Sequence, residues 1–304
     1  MYRFSNILFV PLAKRDNPAA VRRVADLADK NDARLTVLGV VAEPSRLQRL
    51  LDQPLIDQAV RDAEQHALTE RLETCCTELG LHRTEHVVRS GNSPLVIVRE
   101  VLKAGHDLVV VTSDEDREDH ATIKRVLRKC PCPVWVIRPT RAKVQRVLAA
   151  VNPIPEEEEL NHQILELASS MTELYGGELH VVHAWELQGE TTMRNSAFIH
   201  TSPGDIDRML ADAQHRHREA LEELIAKTGI EAEWNVHLMK GRAADAIVEL
   251  AARKRINALV MGTVARTGVV GLLVGNTAEQ LLDDVRCSLL AVKPPGFVSP
   301  VTPE

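Results

Sequence analysis

The chain reads twice. The stretch V-R-S-G-N-S-P-L-V-I-V-R-E-V-L-K-A-G-H-D-L-V-V-V-T-S around Gly91 returns as L-M-K-G-R-A-A-D-A-I-V-E-L-A-A-R-K-R-I-N-A-L-V-M-G-T around Gly241. The apolar run Leu108–Val111 matches Leu259–Gly262, Val134–Pro139 matches Leu289–Pro294, and Ile7–Pro11 matches Val147–Pro153. A duplicated unit constrains the fold before any local propensity does, because each copy must close the same core. The copies differ in one respect: a glycine-rich loop after the fourth strand stands only in the second.

Each copy alternates short apolar runs with helical periodicity. In the first, strands are expected at Ile7–Pro11, Arg34–Val41, Thr84–Val88, Asp107–Thr112 and Val134–Ile137, with a long helix over Leu55–Leu79. In the second, strands are expected at Arg146–Val151, Glu178–Ala184, Glu233–Met239, Ala258–Gly262 and Ser288–Val292. Helices over Leu160–Tyr175, Asp205–Thr228, Ala243–Lys254 and Thr277–Val285 separate them. Runs of four or five apolar residues without alternation suit strands covered on both faces. Strands alternating with helices imply right-handed crossovers and a parallel sheet. The expected fold is therefore α/β, two tandem doubly wound domains of five strands each, over residues 1–140 and 144–295, with 296–304 a disordered tail. Such sheets bind ligands beyond the carboxyl ends of their strands, where the strand order reverses.

Composition excludes several classes. A net charge of −6 argues against a strongly basic nucleic-acid binder, and 3% aromatics leave little for base-stacking platforms. No run approaches the ~20 apolar residues of a membrane span, and the single basic residue and very short apolar run of the first residues lead to the expectation of no signal peptide. Five cysteines without a C-x-x-C pattern suit reduced thiols, so a cytoplasmic location is expected. Cys130-Pro131-Cys132 admits a metal-binding or redox-sensing reading. The lack of neighbouring ligand residues favours small buried core residues instead.

The loop of the second copy reads M-G-T-V-A-R-T-G-V-V-G-L-L-V-G-N-T-A-E. Gly262 ends a strand, and Gly275-Asn276-Thr277 opens a helix. Glycine lets backbone approach a ligand, and a helix N-terminus offers free N–H groups to phosphate. Asn276 and Thr277 add polar donors, and Arg266 adds a cation within reach. The pattern is not a Walker loop, since no lysine lies between Gly262 and Gly275, and the G-x-G-x-x-G fingerprint is absent. A structural reading is equally consistent with the spacing: the glycines permit a tight strand exit and helix entry, and Asn276 or Thr277 is only an N-cap.

This loop resembles that of the universal stress proteins, whose nucleotide-binding members carry G-x-x-G, nine residues, then G-[ST]. Here Gly262-x-x-Ala265, nine residues, then Gly275-Asn276 stand in its place. The phrases G-N-T-A-E-Q-L-L-D and C-S-L-L-A-V-K-P resemble the tandem, E-type members in particular. The resemblance covers both copies. It implies strand order 3-2-1-4-5 in each domain and pairing through the fifth strands, so that the two halves form an internal pseudo-dimer. It leaves room for a homodimer of whole chains.

The resemblance also implies a stress-response role without catalysis and a ligand site in the second domain. Asn152 takes the place of an aspartate that contacts adenine, Ala184 lines the same pocket, and Gly262, Ala265, Gly275, Asn276 and Thr277 hold phosphates. The resemblance implies ATP as the ligand, whereas the changes at Ala265, Asn152 and Asn276 depart from the ATP-binding pattern and leave room for another nucleotide or nucleotide-sugar-like ligand, with or without Mg. Two rival readings stay open: a slow ATPase or nucleotidyl-transfer enzyme, and a ligand-free interaction scaffold.

The first copy lacks the loop. It carries Asp114, Glu115, Asp116, Glu118 and Asp119 instead, which repel a triphosphate and read as a solvated acidic turn. His180 and His183 on one strand point to opposite faces, and His215 and His217 do not face each other on a helix, so neither pair shares a metal. The stretch 187–204 is expected to be a long loop whose Met193, Phe198 and Ile199 cover an apolar ligand.

Overall fold

A computed structural model describes residues 4–12, 18–42, 54–78, 84–112, 117–138, 145–196, 202–263 and 276–303. The first half contains β1 (Asn6–Pro11), α1 (Pro18–Asn31), β2 (Arg34–Ala42), α2 (Pro54–Glu78), β3 (Thr84–Gly91), α3 (Ser93–Ala104), β4 (Leu108–Thr112), α4 (Arg117–Lys129) and β5 (Val134–Ile137). The second contains β6 (Arg146–Ala150), α5 (Glu158–Tyr175), β7 (Glu178–Trp185), α6 (Glu190–Asn195), α7 (Pro203–Lys227), β8 (Trp234–Lys240), α8 (Ala243–Arg253), β9 (Ala258–Gly262), α9 (Asn276–Asp284) and β10 (Ser288–Val292).

The strands form one ten-stranded sheet in the order β3-β2-β1-β4-β5-β10-β9-β6-β7-β8. Within each half all neighbours are parallel. The halves meet where β5 and β10 run antiparallel, with Val136 opposite Leu289 and Trp135 opposite Leu290. Every residue of β4, β5 and β10 is buried, as helices on both faces require. The outermost strands β3 and β8 alternate irregularly and are far more exposed, which blunts the two free edges.

Two apolar layers follow from the pleat. On one face Ile7, Phe9, Val110, Val147, Ala149 and Val181 pack under α1, α5 and α7. On the other, Leu8, Val109, Val111, Leu148, Val182 and Leu259 pack under α3, α4, α8 and α9. Helix α5 stops at Gly176, whose φ of 65° is left-handed and whose N–H reaches Thr172 O at 2.8 Å. The next glycine has a different reason: a Cβ on Gly177 would lie 2.3 Å from the Gln145 carbonyl oxygen.

The seam between halves is crossed by matched cations. Arg138, just after β5, donates from its guanidinium to Leu282 O of α9 and from its backbone N–H to Ser288 Oγ at 3.3 Å. Lys293, its counterpart after β10, donates to Leu127 O of α4. Lys124–Asp283 at 2.6 Å and Arg128–Glu279 at 2.5 Å join α4 to α9 between them. On the opposite face Lys30 of α1 donates to Leu174 O of α5 and lies 4.7 Å from the Tyr175 ring.

Two expectations are corrected. The tail is not disordered over its described residues: Ser299 Oγ donates to Lys129 O at 2.7 Å, and Val301 packs against the α4-side core. Proline content suggested disorder, but these contacts are long-range and leave no local pattern. The stretch 187–204 is not wholly a loop either. Residues 190–195 form α6, held by Glu190 to Arg194 at 3.0 Å and to Lys240 at 2.7 Å. Met193 lies on that helix, while Phe198 and Ile199 fall outside the described residues. Among the described residues no helix is long and apolar enough to cross a membrane.

Candidate functional site

The parallel registers fix which residues share the carboxyl edge of the second half. Ala150 of β6 lies beside Val182 of β7 and Met261 of β9. The chain therefore leaves β6 through Val151 and Asn152 at the level where β7 carries Ala184 and β9 ends at Gly262. Crossovers from β6 go to one face and those from β9 to the other, so β6 and β9 flank the switch point where such sheets open a crevice. Because β9 and β10 are parallel, α9 runs antiparallel to them and starts at this same edge, its N-terminal N–H groups and dipole facing the crevice.

Asn152 is held by its main chain. Its N–H donates to Asn161 Oδ1 at 3.1 Å, and Asn161 Nδ2 donates to its carbonyl at 2.6 Å. Asn161 is buried on α5, so the helix sets the exit of β6. Both bonds use main-chain atoms. Among the described residues none pairs with the half-buried Asn152 carboxamide, which is left to offer both donor and acceptor.

Gly262 has a role that spacing does not reveal. Its φ is not in the left-handed region, but a Cβ there would sit 2.7 Å from Leu160 Cδ2 and 3.6 Å from Ile164 Cδ1. The glycine therefore admits α5 against β9. The following Thr263 is buried, with its N–H and Oγ1 both directed at Val292 O, at 3.0 and 3.2 Å. Thr277 is half-buried in the first turn of α9, beside the fully packed Ala278. The backbone of Asn276 opens that helix. Ala265, Arg266 and Gly275 lie outside the described residues. Asn152, Ala184, Gly262 and Thr277 thus share one edge.

A histidine pair at this edge escaped sequence reasoning. His183 Nδ1 lies 3.2 Å from Val151 O, and its Nε2 lies 2.9 Å from His217 Nδ1 on α7. The carbonyl can only accept, so His183 Nδ1 carries the proton and Nε2 accepts from His217. The His217 ring stacks on Trp185 with centroids 5.4 Å apart, and burial holds its pKa below the ordinary value. The two rings join β7 to α7 and brace the exit of β6. The partner of His217 comes from β7 rather than from its own helix.

Arg242 was also missed. It caps α8, donates to Gln280 Oε1 of α9 at 3.0 Å, and lies on the same edge as a solvent-exposed cation. Gly241 before it, with φ of 129°, donates to Trp185 O at 2.9 Å. A single arginine before a helix carries no spacing signal that sequence reading can use.

A second pair, His180 Nδ1 and His237 Nε2 at 3.0 Å, lies on the other face near the amino end of β7. Burial and the neighbouring His180 push His237 down to about 4. A cavity of about 410 Å³ also opens at that amino edge, lined by Glu173, Glu178, Glu231 and Glu233 among others. Its carboxylates repel phosphate, so it is distinct from the carboxyl-edge crevice. Among the described residues no group of three or more His, Cys, Asp or Glu side chains is placed to hold a metal ion.

Comparison with known proteins agrees with this architecture. The model of the universal stress protein family matches residues 4–138 and again 143–293. Universal stress protein E of Escherichia coli K12 is 34% identical over 219 residues, covering 67% of this chain and 66% of its own length, just short of two thirds. A universal stress protein E homolog of Haemophilus influenzae is 28% identical over 96% of this chain and 98% of its own. The fold is shared with a crystal structure of a functionally unknown protein from Pseudomonas aeruginosa PAO1, at 24% identity and a TM-score of 0.68, covering 96% of this chain and 93% of that one. Two family matches laid over two copies of one five-stranded unit make this chain a tandem member of the universal stress protein family.

Proposed function

We propose that the chain is a cytoplasmic, non-catalytic stress-response protein that binds one nucleotide or nucleotide-like ligand in its second half. The observation that carries this reading is the convergence of Asn152, Ala184, Gly262 and the N-terminus of α9 at one switch point. The open Asn152 carboxamide suits the edge of a base or sugar, and the helix N-terminus suits phosphate. Arg266 and Arg242 supply cations, and Gly275 with Asn276 and Thr277 supplies the backbone approach. Mg, if taken up, would be held by the ligand's phosphates rather than by a protein cage. The residues argue against turnover: no lysine stands in the loop, and His183 and His217 are committed to each other and to Val151 O.

The first half has a supporting role in this reading. Its fifth strand is used up against β10, so the chain is its own pseudo-dimer. A homodimer of whole chains would then have to use another surface. Native mass spectrometry of the purified chain, before and after incubation with ATP and magnesium, tests the proposal. One nucleotide mass per chain, lost in G275W, is expected. ADP formation above the G275W background would make the protein an enzyme, and no adduct at millimolar nucleotide would leave a ligand-free scaffold.

A further inference from the structure

The turn between α4 and β5 holds a pair of thiols that the ligand site does not use. Cys130 Sγ and Cys132 Sγ lie 3.5 Å apart, with Pro131 fixing the backbone between them. Cys130 is fully buried and Cys132 is 8% exposed. The internal duplication supplies a comparison within the molecule. Cys132 matches Cys287 in the second half, whereas Cys130 matches Val285, so only the first half has two thiols in this turn.

The charge around the pair is just as unequal. Lys293 is buried, donates to Leu127 O and lies 4.4 Å from the Phe297 ring. Among the described residues no carboxylate stands within ion-pair distance of it. A buried ammonium without an anion is costly, and this one bonds the last turn of α4 three residues before Cys130. Burial by itself would raise the Cys130 thiol, but the hydrogen bond from Cys132 and the Lys293 charge draw it below the ordinary value. The hydrogen bond to Cys130, together with burial and the distant Asp107 carboxylate, holds Cys132 well above it. Burial pushes Cys287 to about 11, and burial lowers Lys293 to about 8. The segment after Lys293 crosses the end of α4, where Ser299 Oγ bonds Lys129 O directly before Cys130.

We infer that Cys130 and Cys132 are a redox-active dithiol, oxidised by hydroperoxides to an intramolecular disulfide, with Lys293 as its counterion and residues 294–303 as its cover. Once residues 294–303 lift off the turn, the Cys130 thiolate attacks the outer oxygen of the peroxide. The O–O bond breaks, the leaving oxygen takes up the proton that Cys130 released on ionising and departs as alcohol or water, and Cys130 becomes a sulfenic acid. Cys132 then attacks that sulfur, the S–O bond breaks, and its thiol proton leaves with the hydroxyl as water. Two thiols lose two electrons in all, and the peroxide gains them. The sulfurs must close from 3.5 Å to ~2.05 Å, a movement confined to one turn.

The test uses the full chain with C75S and C76S, titrated with hydrogen peroxide at neutral pH, then denatured, alkylated and mapped by mass spectrometry. A loss of 2 Da on the peptide holding Cys130 and Cys132 is expected, at a rate at least ~10-fold above oxidation of Cys287. C132S should stop at a sulfenic acid on Cys130 that dimedone traps. K293M should slow oxidation roughly tenfold at unchanged circular dichroism, and K293R should restore most of the rate. Oxidation of the pair no faster than Cys287 in the same molecules would overturn the inference, whatever the variants do. Equal rates in wild type and folded K293M would remove Lys293 from it.

Discussion

Replacing Gly262 with alanine tests whether this glycine admits a helix or a ligand. The added Cβ would lie 2.7 Å from Leu160 Cδ2 and 3.4 Å from Leu160 Cγ, with Ile164 Cδ1 at 3.6 Å. Leu160 and Ile164 are buried on the face of α5 that covers β9, so the leucine tip cannot swing into solvent. It must change rotamer or push α5 outward. Overpacking of this size costs about 1–3 kcal/mol. For a sheet of this extent that corresponds to a fall in Tm of roughly 2–10 °C, read by thermal unfolding in circular dichroism. A double-mutant cycle sharpens the test: in an L160A background the clash is gone, so G262A should cost at least ~1 kcal/mol less there than in wild type. An unchanged Tm would refute the packing argument, and so would additive costs. If G262A weakened nucleotide binding without moving Tm, Gly262 would belong to the cradle instead.

Other expectations follow from the same geometry. L289D buries an unpaired carboxylate in the seam opposite Val136 and should cost more than ~4 kcal/mol, seen as loss of soluble, cooperatively unfolding protein. N161A strands the N–H and carbonyl of Asn152, so denaturant unfolding should show a loss of about 1–3 kcal/mol, with weaker nucleotide binding in step. His237 sits at about 4 when folded, against an ordinary value of about 6.5 when unfolded. The unfolded chain then binds more protons between those values, so stability present above pH 6.5 is lost as pH falls toward 4. Solvent screening at this half-buried site limits the loss to about 1 kcal/mol. H237N should flatten that part of the profile, and an unaltered slope would count against the His180–His237 pair as its source.

The fold was legible because the physics that builds it is local and repeated. Unbroken apolar runs such as Leu108–Val111 admit only strands covered on both faces, and glycines such as Gly176 mark where helices end. The family resemblance supplied the strand order. The site was legible in part. Asn152, Ala184, Gly262 and Thr277 come to one edge because parallel strands end together, which follows from the fold alone. The reason for Gly262 was not legible, since it depends on Leu160 in another element. His183 and His217 meet only when α7 packs over β7, and no spacing in the chain announces it. The tail misled for the same reason: its prolines suggested disorder, while Ser299 and Val301 find partners far back in the chain.

The central claim is one ligand per chain, held by the second half. Isothermal titration of the full chain with ATP and magnesium measures it directly. The account predicts a stoichiometry of one, abolished by G275W and retained when Asp114 and Asp116 of the first half are changed to alanine. A stoichiometry of two, or binding that survives G275W, would contradict it.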